Sequence, residues 1–151
     1  MNAKRSDFLI IETFIGLIIV LASGLVGTQV LIDEQPSLKI TLHHLNAYRD
    51  VIGLCALIGG LLGMYHSFST GFSTLYSPIY WLSWTSSNII ALCVGIYLAS
   101  TLLVIKIPPR YPSLIKLCAY IRNFVDERSH AFCWLGLALG SWRVLYPWLS
   151  T

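Results

Sequence analysis

Four apolar runs, each close to the length of a membrane-crossing helix, constrain this chain more than any other feature. They are FLIIETFIGLIIVLASGLVGTQVLI (Phe8 to Ile32), VIGLCALIGGLLGMYHSF (Val51 to Phe68), WLSWTSSNIIALCVGIYLASTLLVIKI (Trp81 to Ile107) and AFCWLGLALGSWRVLYPWL (Ala131 to Leu149). A bilayer core about 30 Å thick is crossed by about 20 helical residues. No water reaches that layer, so a spanning backbone must satisfy its own hydrogen bonds, and a helix does this within one segment. The expected fold is an all-α integral membrane protein, a single domain with four transmembrane helices in a bundle at about 8–32, 51–68, 85–107 and 131–149. The first run has 25 residues, more than the roughly 7 to 15 of a signal-peptide core, and is expected to be a retained helix. Arg143 and Pro147 interrupt the fourth run, so an interfacial placement is its alternative.

Composition agrees. Of 151 residues, 56% are hydrophobic and 11% charged, whereas a soluble domain carries about 25% charge. The net charge of +3 is too small, and the basic residues too scattered, to suggest nucleic acid. The four cysteines, Cys55, Cys93, Cys118 and Cys133, form no C-x-x-C pair. In apolar runs cysteine acts as a small hydrophobe, so neither a disulfide framework nor a metal site is expected.

The connections set orientation. Seven of the ten Lys and Arg lie in or beside the two charged connections: Lys39, Arg49, Lys106, Arg110, Lys116, Arg122 and Arg128. The connection at 69–80 is uncharged, and Lys4 and Arg5 precede the first run. The positive-inside rule places both charged connections in the cytoplasm and both termini outside. Pro108-Pro109 breaks the chain after the third run, and residues 112–127 then predict an amphipathic inner-surface helix with Leu114, Leu117, Ile121 and Phe124 on one face. Lys116, Arg122 and Arg128 are the expected contacts to anionic lipid.

Small residues predict how the helices meet. Leucine gains nothing by leaving lipid for another helix, so close backbone approach and hydrogen bonds drive association, and Gly-x-x-x-Gly permits both. Gly59 with Gly63, and Gly136 with Gly140, are the predicted packing notches. The two pairs lie 77 residues apart, and Leu21-Ala22-Ser23 recurs as Leu98-Ala99-Ser100 at the same offset. The chain therefore reads as two repeated helical hairpins in outline.

Ionisable groups within a membrane are costly and are functional candidates by default. Glu12 and Arg143 are two, and a pairing between them at similar depth is expected. Asn88 is the foremost interhelical hydrogen-bonding group, in the polar entry Thr85-Ser86-Ser87-Asn88. His66 ends the second run with no outer histidine to match, while His43, His44 and His130 fall at the inner boundary, so a bis-histidine haem is not expected. No metalloprotease, nucleophile-elbow or phosphate-loop motif is present, and no enzyme activity or cofactor is expected. Trp81, Trp84, Trp142 and Trp148 group at the outer interface as an aromatic belt.

The stretch Gly59-Gly60-Leu61-Leu62-Gly63-Met64-Tyr65-His66-Ser67-Phe68 resembles a pore helix of the MotA/TolQ/ExbB proton-channel family. A second pore-like helix from Asn88 to Ile107 and the run Asn123-Phe124-Val125-Asp126-Glu127 extend the resemblance over about residues 53–128. It implies a homo-oligomeric proton channel or stator subunit. The chain departs from the pattern at Gly60 and Cys93, where the family carries threonine, and lacks its large cytoplasmic insertion. The function expected from the residues themselves is a non-catalytic integral subunit or assembly factor of a larger membrane complex. A stand-alone immunity or exclusion protein is the third expectation.

Overall fold

The computed structural model describes residues 3–34, 47–69, 78–106, 108 and 110–149, with the side chains of residues 3–9, 11–12, 29–34, 69, 78–80, 104 and 147–149 outside the description. The described residues are all-helical, without strands. Six helices follow in order: α1 (Ala3–Glu34), α2 (Arg49–Ser69), α3 (Pro78–Leu98), α4 (Ser100–Lys106), α5 (Pro112–Glu127) and α6 (Ser129–Leu149). Two of them contain stretches long and apolar enough to cross a membrane, Arg49–Phe68 and Trp81–Leu98, and α1 carries a shorter apolar core at Thr13–Thr28. In α6, Arg143 and His130 dilute the apolar character.

The third predicted helix differs most from expectation. It begins at Pro78 rather than near residue 85, since proline needs no amide partner in a first turn. It is then interrupted at Ala99, although the Ala99 amide still reaches Gly95 O at 2.9 Å and Leu103 N–H reaches Ala99 O at 2.9 Å. The α2 backbone approaches closely here: a β-carbon on Gly53 would lie 2.7 Å from Ala99 N. The connection containing Lys39, His43 and His44 lies outside the described residues.

α1 packs extensively on α6, and α2 on α3, while α1 and α3 touch in the middle and α2 and α6 make no contact among the described residues. The closest pairs are thus the first helix with the last and the middle two. Both crossings are lined with small residues. On one side a β-carbon on Gly16 would lie 3.1 Å from the Gly140 carbonyl oxygen, Gly136 faces Ser23, and Gly27 faces Cys133. On the other, a β-carbon on Gly95 would lie 2.6 Å from Leu57 N, one on Gly60 would lie 3.0 Å from Leu92 N, and Gly63 faces Asn88. A 77-residue offset would carry the Gly16–Gly140 contact onto Cys93 and Gly63. Gly63 instead meets Asn88, more than a turn away, so the two crossings differ in register.

The notch of α2 also differs in detail. Gly53, Gly60 and Gly63 share the face toward α3, whereas a β-carbon on Gly59 would meet only Ile15 Cγ2, at 3.9 Å. One residue turns a helix by about 100°, and that rotation sends Gly59 toward α1. Gly95→Ala is therefore expected to cost about 1 to 3 kcal/mol, because the backbone of α2 cannot yield as a side chain would. Gly59→Ala should be neutral or stabilise by up to about 1 kcal/mol through helix propensity. Unfolding of the purified protein in detergent, compared for the two variants, checks this ordering.

Candidate functional site

The interior is polar where the helices cross. Arg143 on α6 is 3% exposed and Asn88 on α3 is fully buried. Their placement follows from local sequence. Asn88 faces Gly63 of α2, and a β-carbon there would lie 2.6 Å from Asn88 Cγ. Only glycine leaves room for the carboxamide at this level.

Asn88 uses both ends of that carboxamide. Its Nδ2 donates to Ser67 Oγ at 3.2 Å, and Ser67 Oγ donates to Gly63 O at 2.9 Å. Its Oδ1 accepts from the Arg143 guanidinium, whose same nitrogen also lies 3.2 Å from Ser87 Oγ. Ser87 in turn donates to Trp84 O at 2.7 Å. One continuous network thus joins α6, α3 and α2. Bonding to a charged donor makes the Asn88–Arg143 link stronger than a neutral one.

Trp84 completes the site. The Arg143 guanidinium lies 5.3 Å from its ring centroid, and the His66 ring lies 5.4 Å away at 30°. A cation over an indole face is attracted by the ring quadrupole. A shallow notch lined by Ser83, Trp84, Ser87, Leu139, Trp142 and Arg143 leads to the surface.

Several predicted site residues meet here. Asn88, Arg143, His66, Gly63 and Trp84 share one neighbourhood. Trp84 departs from the expected belt: it is buried, because the guanidinium and imidazole beside it need an aromatic face more than the interface does. Trp81 is half-buried and donates from Nε1 to Ser67 O at 3.4 Å. Trp142 is exposed and packs on Tyr146 at 5.4 Å. The side chains of Glu12 and Trp148 lie outside the description, so the expected Glu12–Arg143 pairing falls there too. Gly136 and Gly140 belong to the α1–α6 crossing, away from this network.

Ser67 is the functional residue that sequence reasoning passed over. Its signal was its position four residues after Gly63, on the same face of the helix. Ser23, buried against Gly136, escaped notice in the same way.

A second polar cluster sits toward the other end of α3. The Tyr97 hydroxyl donates to Asp126 Oδ1 of α5 at 3.0 Å, and the Arg49 guanidinium lies 5.2 Å from the Tyr97 ring centroid. It joins α2, α3 and α5. Among the described residues no group of three or more metal-ligating side chains is assembled. No protein-family model, curated protein or solved structure matches this chain.

The network predicts strong coupling. Asn88→Ala should destabilise by about 2 to 3 kcal/mol, the loss of a hydrogen bond to a buried charge. Gly63→Ala should be destabilising alone but add less than about 0.5 kcal/mol in the Asn88→Ala background, since the clashing carboxamide is then gone. A double-mutant cycle of unfolding free energies measures this, and additive effects would contradict the contact.

Proposed function

We propose that the chain is a multi-pass integral membrane protein acting as a non-catalytic subunit or assembly factor of a larger membrane complex. Its spans are α1, α2, α3 continued by α4, and α6, with α5 outside the bilayer core. One observation carries the reading: polar groups, a guanidinium among them, are buried beside the apolar core while large apolar side chains face outward. Ser23, Ser67, Ser87, Asn88, Ser100 and Arg143 are buried, while Ile10, Phe14, Leu17 and Leu21 of α1 and Ile58, Leu62 and Tyr65 of α2 face outward. Water would penalise such faces, since large contiguous apolar patches on soluble proteins mark interaction sites. Lipid does not penalise them, and it rewards buried hydrogen bonding between helices.

The subunit role follows from what the polar groups do. Asn88, Ser67, Ser87 and Arg143 bond one another across three helices and serve packing. The outward faces of α1 and α2 are apolar and suited to lipid and to neighbouring spans.

A homo-oligomeric ion channel of the MotA/TolQ/ExbB kind is the second reading. One observation favours it: the two stretches that carry the resemblance, on α2 and α3, pack face to face with Gly63 against Asn88.

Native mass spectrometry of the protein extracted gently from its host membrane tests both. Recovery with other chains at fixed stoichiometry is the expected outcome. A ring of identical chains would transfer the assignment to the channel, and a lone monomer would transfer it to a stand-alone immunity or exclusion protein. Orientation has its own check. With the native cysteines replaced, Asn2→Cys and Thr151→Cys should both react with a membrane-impermeant maleimide added outside intact cells. Labelling of one terminus alone would mean an odd number of spans.

A further inference from the structure

Helix α5 presents a face that nothing among the described residues covers. Its turn toward the bundle buries Val125 and half-buries Ile115, Cys118 and Ile121. Burial pushes the Cys118 thiol above its ordinary pKa, in keeping with that side facing protein. The sequence grouped Ile121 with the lipid-facing row, but it packs on the cluster formed by Val94, Tyr97 and Leu98. The row left outside is Leu114, Leu117, Tyr120 and Phe124, at helical spacings of three and four, with Tyr120 70% exposed.

Basic groups border this row. Lys116 precedes Tyr120 by four residues and is exposed, whereas Arg122, two residues from both Tyr120 and Phe124, is exposed on the opposite side of the helix. The Arg128 guanidinium lies 4.5 Å from the Phe124 ring centroid. Two acids share the helix. Asp126 accepts from Tyr97, and Glu127 lies 3.7 Å from Arg128 in a pair exposed on both sides. Three basic groups, Lys116, Arg122 and Arg128, against two acidic ones leave this segment one net positive charge.

We propose that α5 docks on anionic phospholipid, with Leu114, Leu117, Tyr120 and Phe124 entering the headgroup–acyl boundary and Lys116 and Arg128 meeting lipid phosphates. The proposal rests on the membrane reading above and names the lipid class that the protein selects. An amphipathic helix buries its apolar face about 5 to 10 Å into that boundary and gains from anionic headgroups. The Tyr97–Asp126 bond and the Arg128 joint between α5 and α6 fix the helix to the bundle, so its apolar face is presented already folded. Excess positive charge selects an anionic surface over a zwitterionic one, and a protein partner is the competing outcome.

The full-length protein is reconstituted in nanodiscs of phosphatidylcholine, with or without phosphatidylglycerol. An environment-sensitive dye is attached at Tyr120→Cys or, as the control for a spanning helix, at Leu62→Cys, in a background without native cysteines. Spin-labelled acyl chains should quench both dyes. Native mass spectrometry should show retained phosphatidylglycerol falling about fivefold for each of Lys116→Gln and Arg128→Gln, from about 1 kcal/mol per charge near the surface, and falling less for Arg122→Gln on the opposite side of the helix. Glu127→Gln should raise it.

Quenching at Leu62 but not at Tyr120 would overturn the proposal while leaving the spanning reading intact, and would make the face a protein contact. Quenching at neither would overturn both. Quenching at both, with phosphatidylglycerol retention unchanged in the Lys116 and Arg128 variants, would overturn the anionic selectivity.

Discussion

The Asn88 carboxamide, seated on Gly63, holds the interior together. It accepts from Arg143 on one side and donates to Ser67 on the other. A guanidinium excluded from water is strongly destabilising unless its donors are met. Asn88 and Ser87 both accept from one of its nitrogens with neutral oxygen atoms, and Trp84 supplies a π face. Asn88 fits here because Gly63 withholds a side chain, and that missing β-carbon lets the carboxamide link α2 to α6.

The same economy of side chains governs the whole bundle. Large side chains of α1 face both ways: Ile15, Ile19, Leu25 and Val26 are buried, while Ile10, Phe14, Leu17 and Leu21 face outward. Close contact falls to glycine, serine, alanine and cysteine. The α1–α6 and α2–α3 crossings both use small residues, yet in different registers. Gly16 and Gly140 bring two backbones together directly, whereas Gly63 admits a polar side chain. The first crossing is steric fit and the second is hydrogen bonding, and the central contact of α1 with α3 joins them.

Helix α5 is the element with a different surround. Both its polar anchor, Tyr97 to Asp126, and its apolar anchor, Val125, hold it against α3. Its remaining face combines aromatic and aliphatic groups with basic heads. That composition suits a boundary between water and hydrocarbon better than either phase alone.

Much of this was legible in the chain before folding. Apolar run length predicted helices at all four places, and Pro108-Pro109 followed by three-and-four spacing located α5 at residues 112–127. Asn88, Arg143 and His66 stood out because polar groups in an apolar run are few. The partners of those groups were not legible. Arg143 lies 55 residues from Asn88 in sequence, and the rotation of each helix about its axis decides which oxygen it meets. Gly60 rather than Gly59 faces α3, Trp84 turns inward rather than to the interface, and Ile121 turns to the bundle, each by a rotation of a residue or two. Hydropathy along a chain records how apolar a segment is and nearly determines its helical state, since an unpaired backbone is intolerable in lipid. It leaves azimuth undetermined when residues are apolar all round. That angle is settled only when two helices close on each other, because steric fit and directional hydrogen bonds exist only between particular faces.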